Sequence, residues 1–278
     1  MLAGILILFL TAAGLFLLLS YLNAFDKSLL IQEYQVHSEK IDLPLTAAVL
    51  TDLHSNYYGE AQQELLAALM AAAPDLILMA GDLADRDIPM DGFLDLLAGL
   101  PTKIPTYFVT GNHEFWSGKV SWIKAQLREQ GITVLEGTCA QEKIHGQTLE
   151  ICGLDDPTAG RKEFSRQVDQ LPARHTAEPF SILLFHCPEH DKVKQLLPLE
   201  FDLILSGHAH GGQWRIPRLL NGVFAPNQWF FPKYAGGYYR HDRTVQIVSR
   251  GLAKDTTKIP RIFNRPELVI LKIDKSAN

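Results

Sequence analysis

Five apolar runs in this chain stop abruptly at side chains that bind metals: AAVLTDLH (Ala47 to His54), LILMAGD (Leu76 to Asp82), YFVTGNHE (Tyr107 to Glu114), ILLFHCP (Ile182 to Pro188) and LILSGHAH (Leu203 to His210). Apolar runs this short are the buried strands of an α/β sheet, and such sheets bind ligands outside the carboxyl ends of their strands. The pattern predicts that Asp52, His54, Asp82, Asn112, His186, His208 and His210, drawn from well-separated parts of the chain, converge on one metal site.

The segments between these runs supply helices. Glu60 to Ala73 is rich in Ala and Leu and closes at Pro74, Met90 to Leu100 closes at Pro101, and Val120 to Gln130 closes at Gly131. Arg161 to Gln170 and Lys192 to Leu197 are further helical candidates, and Thr244 to Ser249 and Leu268 to Ile273 are late strands. Strand, helix, strand order implies right-handed parallel crossovers, and the whole predicts two packed sheets flanked by helices. A chain of 278 residues accommodates one such domain with an appendage, and its 47% hydrophobic and 21% charged residues exclude a disordered or low-complexity protein.

The appendage is residues 1–22, which carry no charged side chain. As a helix at 1.5 Å per residue it would span roughly 30 Å, the thickness of a bilayer's hydrocarbon core. It reads as a single transmembrane anchor, with residues 23–41 as a linker and 42–278 as the folded domain. A cleaved signal peptide fits less well, because no Lys or Arg precedes the run and the one plausible cleavage site, near Ala24, is poor. Lys27 and Lys40 lean the domain towards the cytoplasmic side of an inner or plasma membrane. Cys139, Cys152 and Cys187 agree with that side: an odd number without framework spacing, none of which needs a disulfide.

Asp52 and His54 lie two apart, so on an extended backbone both project to one side. Asp82 follows Gly81, which lets the chain turn out of its strand, and a carboxylate there can bridge two cations. Asn112 adds a neutral oxygen, and His186, His208 and His210 add imidazole nitrogens. Seven mixed ligands exceed one tetrahedral zinc and suit two divalent ions, the arrangement that polarises a phosphoryl group and activates a water. Such ligands admit Mn, Fe, Zn or Co.

The ordered set of Asp-x-His, Gly-Asp-x-x-Asp, Gly-Asn-His-Glu and Gly-His-x-His-Gly-Gly resembles the calcineurin-like metallophosphoesterases from Asp52 to His210. The resemblance implies a four-layer αββα sandwich of two mixed sheets. It implies one metal on Asp52, His54, Asp82 and His210, and a second on the shared Asp82 with Asn112, His186 and His208. It further implies that His113 contacts the scissile phosphate and protonates the leaving oxygen, with Asp85 orienting it. Cys187, beside His186, is either an oxidation-sensitive thiol at the site or a buried inert one.

Ser206 to Gln213, together with the apolar start of the chain, also resembles the membrane-associated bacterial branch, some of whose members are similar to pyrophosphohydrolases of UDP-diacylglucosamine. Between Gln213 and Pro266 ten basic residues face only Asp242 and Asp255, although the chain carries a net charge of -5. The same stretch holds Trp214, Phe224, Trp229, Phe230, Phe231, Tyr234, Tyr238 and Tyr239, which either dip into lipid headgroups or pack the domain. The expected substrate is a phosphorylated lipid or nucleotide-lipid at a membrane, with no nucleic-acid partner. Soluble phosphodiesters or phosphoproteins are the alternative, and an inactive tethered scaffold is disfavoured by His113.

Overall fold

The computed structural model describes residues 10–12, 14–15, 18, 20–173, 175–176, 178–254 and 259–275. Two six-stranded mixed sheets pack face to face. The first runs in the order β1 (Leu30–His37), β14 (Glu267–Asp274), β2 (Leu45–Leu50), β3 (Leu76–Ala80), β4 (Thr106–Val109), β5 (Thr133–Val134). The second runs β12 (Gly237–His241), β13 (Thr244–Val248), β9 (Leu203–Ser206), β8 (Phe180–Leu184), β7 (Gln147–Gly153), β6 (Thr138–Ile144).

Alternate residues of each central strand decide the layering. Ala47, Val49, Leu76, Leu78 and Val109 meet Ile151, Ile182, Leu184, Leu203 and Ile247 between the sheets. The opposite face of the first sheet, with Ala48, Leu50, Ile77, Met79 and Phe108, is covered by α1 (Gln63–Ala71), α2 (Asp91–Gly99) and α4 (Val120–Glu129). The opposite face of the second sheet lies under α5 (Arg161–Gln170) and α6 (His190–Leu196). Strands buried on both sides are the reason these segments read as continuous apolar runs. The α/β sandwich expected from the sequence is the one observed, and its helices and central strands begin and end within a few residues of the sequence reading. A short helix, α3 (Asn112–Trp116), was not expected.

Two sequence expectations change, and a third lies mostly beyond the described residues. Residues 23–41 are not simply a linker: β1 pairs in parallel with β14 from Leu30↔Glu267 to His37↔Asp274, so the sheet begins before residue 42. Its alternating exposure marks an edge strand covered on one side only, a weaker signal than a buried run. Cys139 and Cys152 stand opposite each other on β6 and β7 and form a disulfide, contrary to the expectation that no cysteine needs one. The transmembrane anchor expected over residues 1–22 falls largely outside the described residues. Those described within residues 10–24 are helical, and among the described residues no helix is long and apolar enough to cross a membrane.

Candidate metal centre

The carboxyl ends of β2, β3, β4, β8 and β9 bring all seven sequence-predicted ligands to one edge of the sandwich. Asp52, His54 and His210 form one group whose donor atoms lie within 4.8 Å of one another, and Asp82, His186 and His208 form a second. Asp82 joins them: its Oδ2 is 3.1 Å from His186 Nε2 and 3.7 Å from His54 Nε2. His210 Nε2 and His54 Nε2 lie 3.6 and 4.0 Å from Asp52 Oδ1. His54 Nε2, His186 Nε2 and Asn112 Oδ1 are buried and have no hydrogen-bond partner. Burying such atoms unpaired is costly, and each is a metal donor. The residues therefore fit two divalent cations.

The loops are forced into shape by the backbone as much as by the ligands. Asp52, His54, Asp82, His208 and His210 all have φ between +46° and +66°, a region that costs a non-glycine residue about 1–3 kcal/mol and that clusters at functional sites. Gly81 and Gly207 admit close approach. A Cβ on Gly81 would meet Gly111 N at 2.5 Å, and one on Gly207 would meet Thr51 Oγ1 at 2.1 Å.

Glu114 ties the β3 and β4 loops together. Fully buried, it accepts the N–H groups of Asp82, Leu83, Ala84 and Gly111 at 2.7–3.0 Å. Burial and then the Asp82 charge push its carboxyl up to about 7, while the Gly111 and Ala84 amides pull the other way. Asp85 is the second knot. Its Oδ2 lies 2.7 Å from His54 Nδ1 and 2.9 Å from His113 Nδ1, so it orients both rings rather than His113 alone, and its Oδ1 accepts from Asp87 and Ile88. Holding His54 at Nδ1 turns Nε2 towards the ions, and the Ala80 carbonyl does the same for His186, 2.7 Å from its Nδ1.

The histidines differ in charge for identifiable reasons. Burial lowers His208 and His210, helped by neighbouring His186 and His54 respectively, which keeps neutral imidazoles there. Burial also pulls on His113, but the Asp85 carboxylate 2.9 Å from its Nδ1 and the Asp82 charge outweigh it, and the net shift is upward. His113 is the most accessible of the set, with 19% of its side chain exposed against at most 7% for the ligand histidines. Cys187 is buried, its Sγ donating to Asp156 Oδ2 at 3.0 Å, and burial pushes the thiol well up, which favours the inert reading.

Four supporting residues were not singled out in the sequence reading. Asn264 donates to the His210 carbonyl at 2.7 Å, and buried Arg261 approaches His210 Nδ1 to 3.4 Å. Asn227 donates to Glu189 Oε1 at 2.8 Å and lies 3.1 Å from His208 Nε2, with Glu189 Oε1 itself 3.5 Å from that nitrogen. Only Glu189, three residues after His186, carried a usable signal. A cavity of about 400 Å³ opens beside them, lined by Asn112, His208, Trp116, Asp156, Glu189 and Lys192 among others.

A sandwich of two mixed sheets with paired ligand loops at one edge defines the phosphoesterase class of metal site, and sequence comparison agrees. A model of the family described as calcineurin-like phosphoesterase matches residues 45–212, and the chain belongs to that family. It is 32% identical over 231 residues to an uncharacterized metallophosphoesterase of Helicobacter pylori (strain J99), covering 80% of this chain and 58% of that one. It thus spans little more than half the length of that relative. It is 30% identical over 236 residues to phosphodiesterase YaeI of Escherichia coli (strain K12), covering 83% and 82% of the two chains. Uncharacterized metallophosphoesterase YkoQ of Bacillus subtilis (strain 168) is 27% identical, covering 81% and 82%.

Proposed function

We propose that this protein is a two-metal phosphoesterase that hydrolyses a phosphodiester or pyrophosphate bond in a phosphorylated lipid or nucleotide-lipid. The observation that carries the chemistry is the pair of ligand groups sharing Asp82, with His113 beside them. Asp52, His54, Asp82 and His210 would hold one cation, and Asp82, Asn112, His186 and His208 the other. When bound, the ions supply Lewis-acid polarisation of the phosphoryl group and an activated water.

The chain's own residues do the rest. His113, engaged at Nδ1 by Asp85, keeps Nε2 for the leaving oxygen and is the accessible imidazole of the site, so it serves as the general acid. Asp85 is a positioning residue for His113 and His54 together. The adjoining cavity receives the part of the substrate next to the scissile bond. The lipid part of the proposal is supported by the exposed aromatic and basic segment that adjoins the site, and by the likeness of Ser206 to Gln213 to the membrane-associated branch.

The test is a panel: protein reconstituted with Mn, Fe, Zn or Co, assayed on UDP-diacylglucosamine, phospholipids, cyclic nucleotides and an aryl phosphodiester. Metal-dependent release of product with preference for the lipids is expected. No turnover of any phosphoester or pyrophosphate would sink the enzyme reading, and preference for the soluble substrates would sink the lipid one.

A further inference from the structure

Of the twenty exposed large hydrophobic side chains among the described residues, six lie within residues 214–231 and six more within residues 10–25. The densest run is Trp229, Phe230 and Phe231, exposed by 70, 68 and 69%. Trp229 and Phe230 form the return strand β11 of a two-residue ribbon with β10 (Phe224–Ala225), and the Phe224 ring meets both edge-on. That contact props the tip up without covering it. Trp214, Ile216 and Leu219, the last 84% exposed, lie in the same stretch of chain. An exposed apolar surface of this density in one short stretch marks a docking face.

The backbone joins this patch to the metal centre and to the start of the chain. Phe231 N–H donates to the Val223 carbonyl and Val223 N–H to that of Gly212, two residues after His210. Trp214 bridges to Ile262, and Phe263 N–H donates to the Ala24 carbonyl, the last of the helical residues described within residues 10–24. No acidic residue occurs between Asp202 and Asp242, whereas Arg215, Arg218 and Lys233 do. Indole and phenyl rings exposed on the ribbon, with exposed Arg218 and Lys233 in the same stretch of chain, match the interface of an anionic bilayer. Trp settles there at headgroup depth, and Lys and Arg pair with the headgroups.

We propose that this face docks on an anionic lipid bilayer. Trp229, Phe230 and Phe231 enter the interface, Arg218 and Lys233 meet headgroups, and the metal centre is thereby presented to substrate held in the same bilayer. The last clause rests on the phosphoesterase reading; the docking does not. Asn227, in the turn of the ribbon, holds Glu189 and touches His208, so the position of the inserted tip is passed directly to a ligand of the second cation.

The test uses the full chain with vesicles of phosphatidylcholine and phosphatidylglycerol whose acyl chains are brominated near the headgroup. The chain's four tryptophans are Trp116, Trp122, Trp214 and Trp229. Their fluorescence should be quenched on these vesicles. Trp214→Phe with Trp229→Phe should remove most of that quenching, and Trp122→Phe should not. Arg218→Gln with Lys233→Gln should reduce it on anionic vesicles and leave it unchanged on pure phosphatidylcholine. Quenching that is absent, or that survives unaltered in the Trp214/Trp229 variant, overturns the proposal. So does a dimer in sedimentation that Trp229→Ser, Phe230→Ser and Phe231→Ser together convert to monomer, since a second copy would then cover the face.

The same triple variant should lower turnover of a vesicle-borne pyrophosphate lipid and spare that of a soluble aryl phosphodiester. A wild-type chain that is quenched but turns over no phosphoester or pyrophosphate of the panel refutes the phosphoesterase reading and leaves the docking intact.

Discussion

The two halves of the metal centre are built differently. The half on the first sheet, with Asp52, His54, Asp82 and Asn112, is braced by carboxylates of its own loops: Glu114 accepts four backbone amides, and Asp85 holds two imidazoles. The half on the second sheet, with His186, His208 and His210, borrows its support from elsewhere: the Ala80 carbonyl, Glu189 with Asn227, and Arg261 with Asn264. A self-braced half keeps its shape as one unit, whereas the borrowed half depends on segments that also meet the surroundings. Through Asn227, the stretch of residues 214–231 touches His208 of the second half.

The largest effect should come from cutting the self-braced knot. Glu114→Ala strands four buried N–H groups at about 1–3 kcal/mol each before relaxation, so chemical denaturation should show a loss of several kcal/mol; an unchanged midpoint would mean the loops do not need the carboxylate. Next comes His113→Gln, expected to lower kcat by about 10²–10⁴-fold with metal content intact by elemental analysis. Equal turnover in that variant removes the general acid from the scheme. Asp85→Asn should cost about 10–100-fold in activity, and because it serves His54 as well as His113 it should also weaken metal retention, which His113→Gln should not. Smallest is Glu189→Gln, with about a tenfold drop in affinity for the second cation by calorimetry and none for the first. A drop shared equally by both cations would erase the distinction between the halves.

The same contrast explains what could be read from the sequence. The first half announces itself because ligand, brace and turn residue are neighbours: Gly81, Asp82 and Asp85 fall in one motif, as do Gly111, Asn112, His113 and Glu114. The buried strands were legible for the same local reason, since runs such as Leu76–Ala80 have no exposed face to break the pattern. The supports of the second half were not legible. Arg261 and Asn264 reach His210 from 51 and 54 residues away, and neither sits in a recognisable spacing. β1 hid because an edge strand alternates polar and apolar residues like many connectors, and the pairing of Cys139 with Cys152 became visible only once the register of β6 on β7 was fixed.

The left-handed backbone of Asp52, His54, Asp82, His208 and His210 narrows what these positions tolerate before coordination is considered. Besides glycine, the side chains found there most readily are Asn, Asp and His, because their short polar groups bond locally. Those are also the side chains that ligate hard and borderline cations. Chain geometry and coordination chemistry thus apply two independent filters that pass nearly the same short alphabet, and a substitution such as Asp82→Asn changes the charge at the site while leaving the fold of the loop in place.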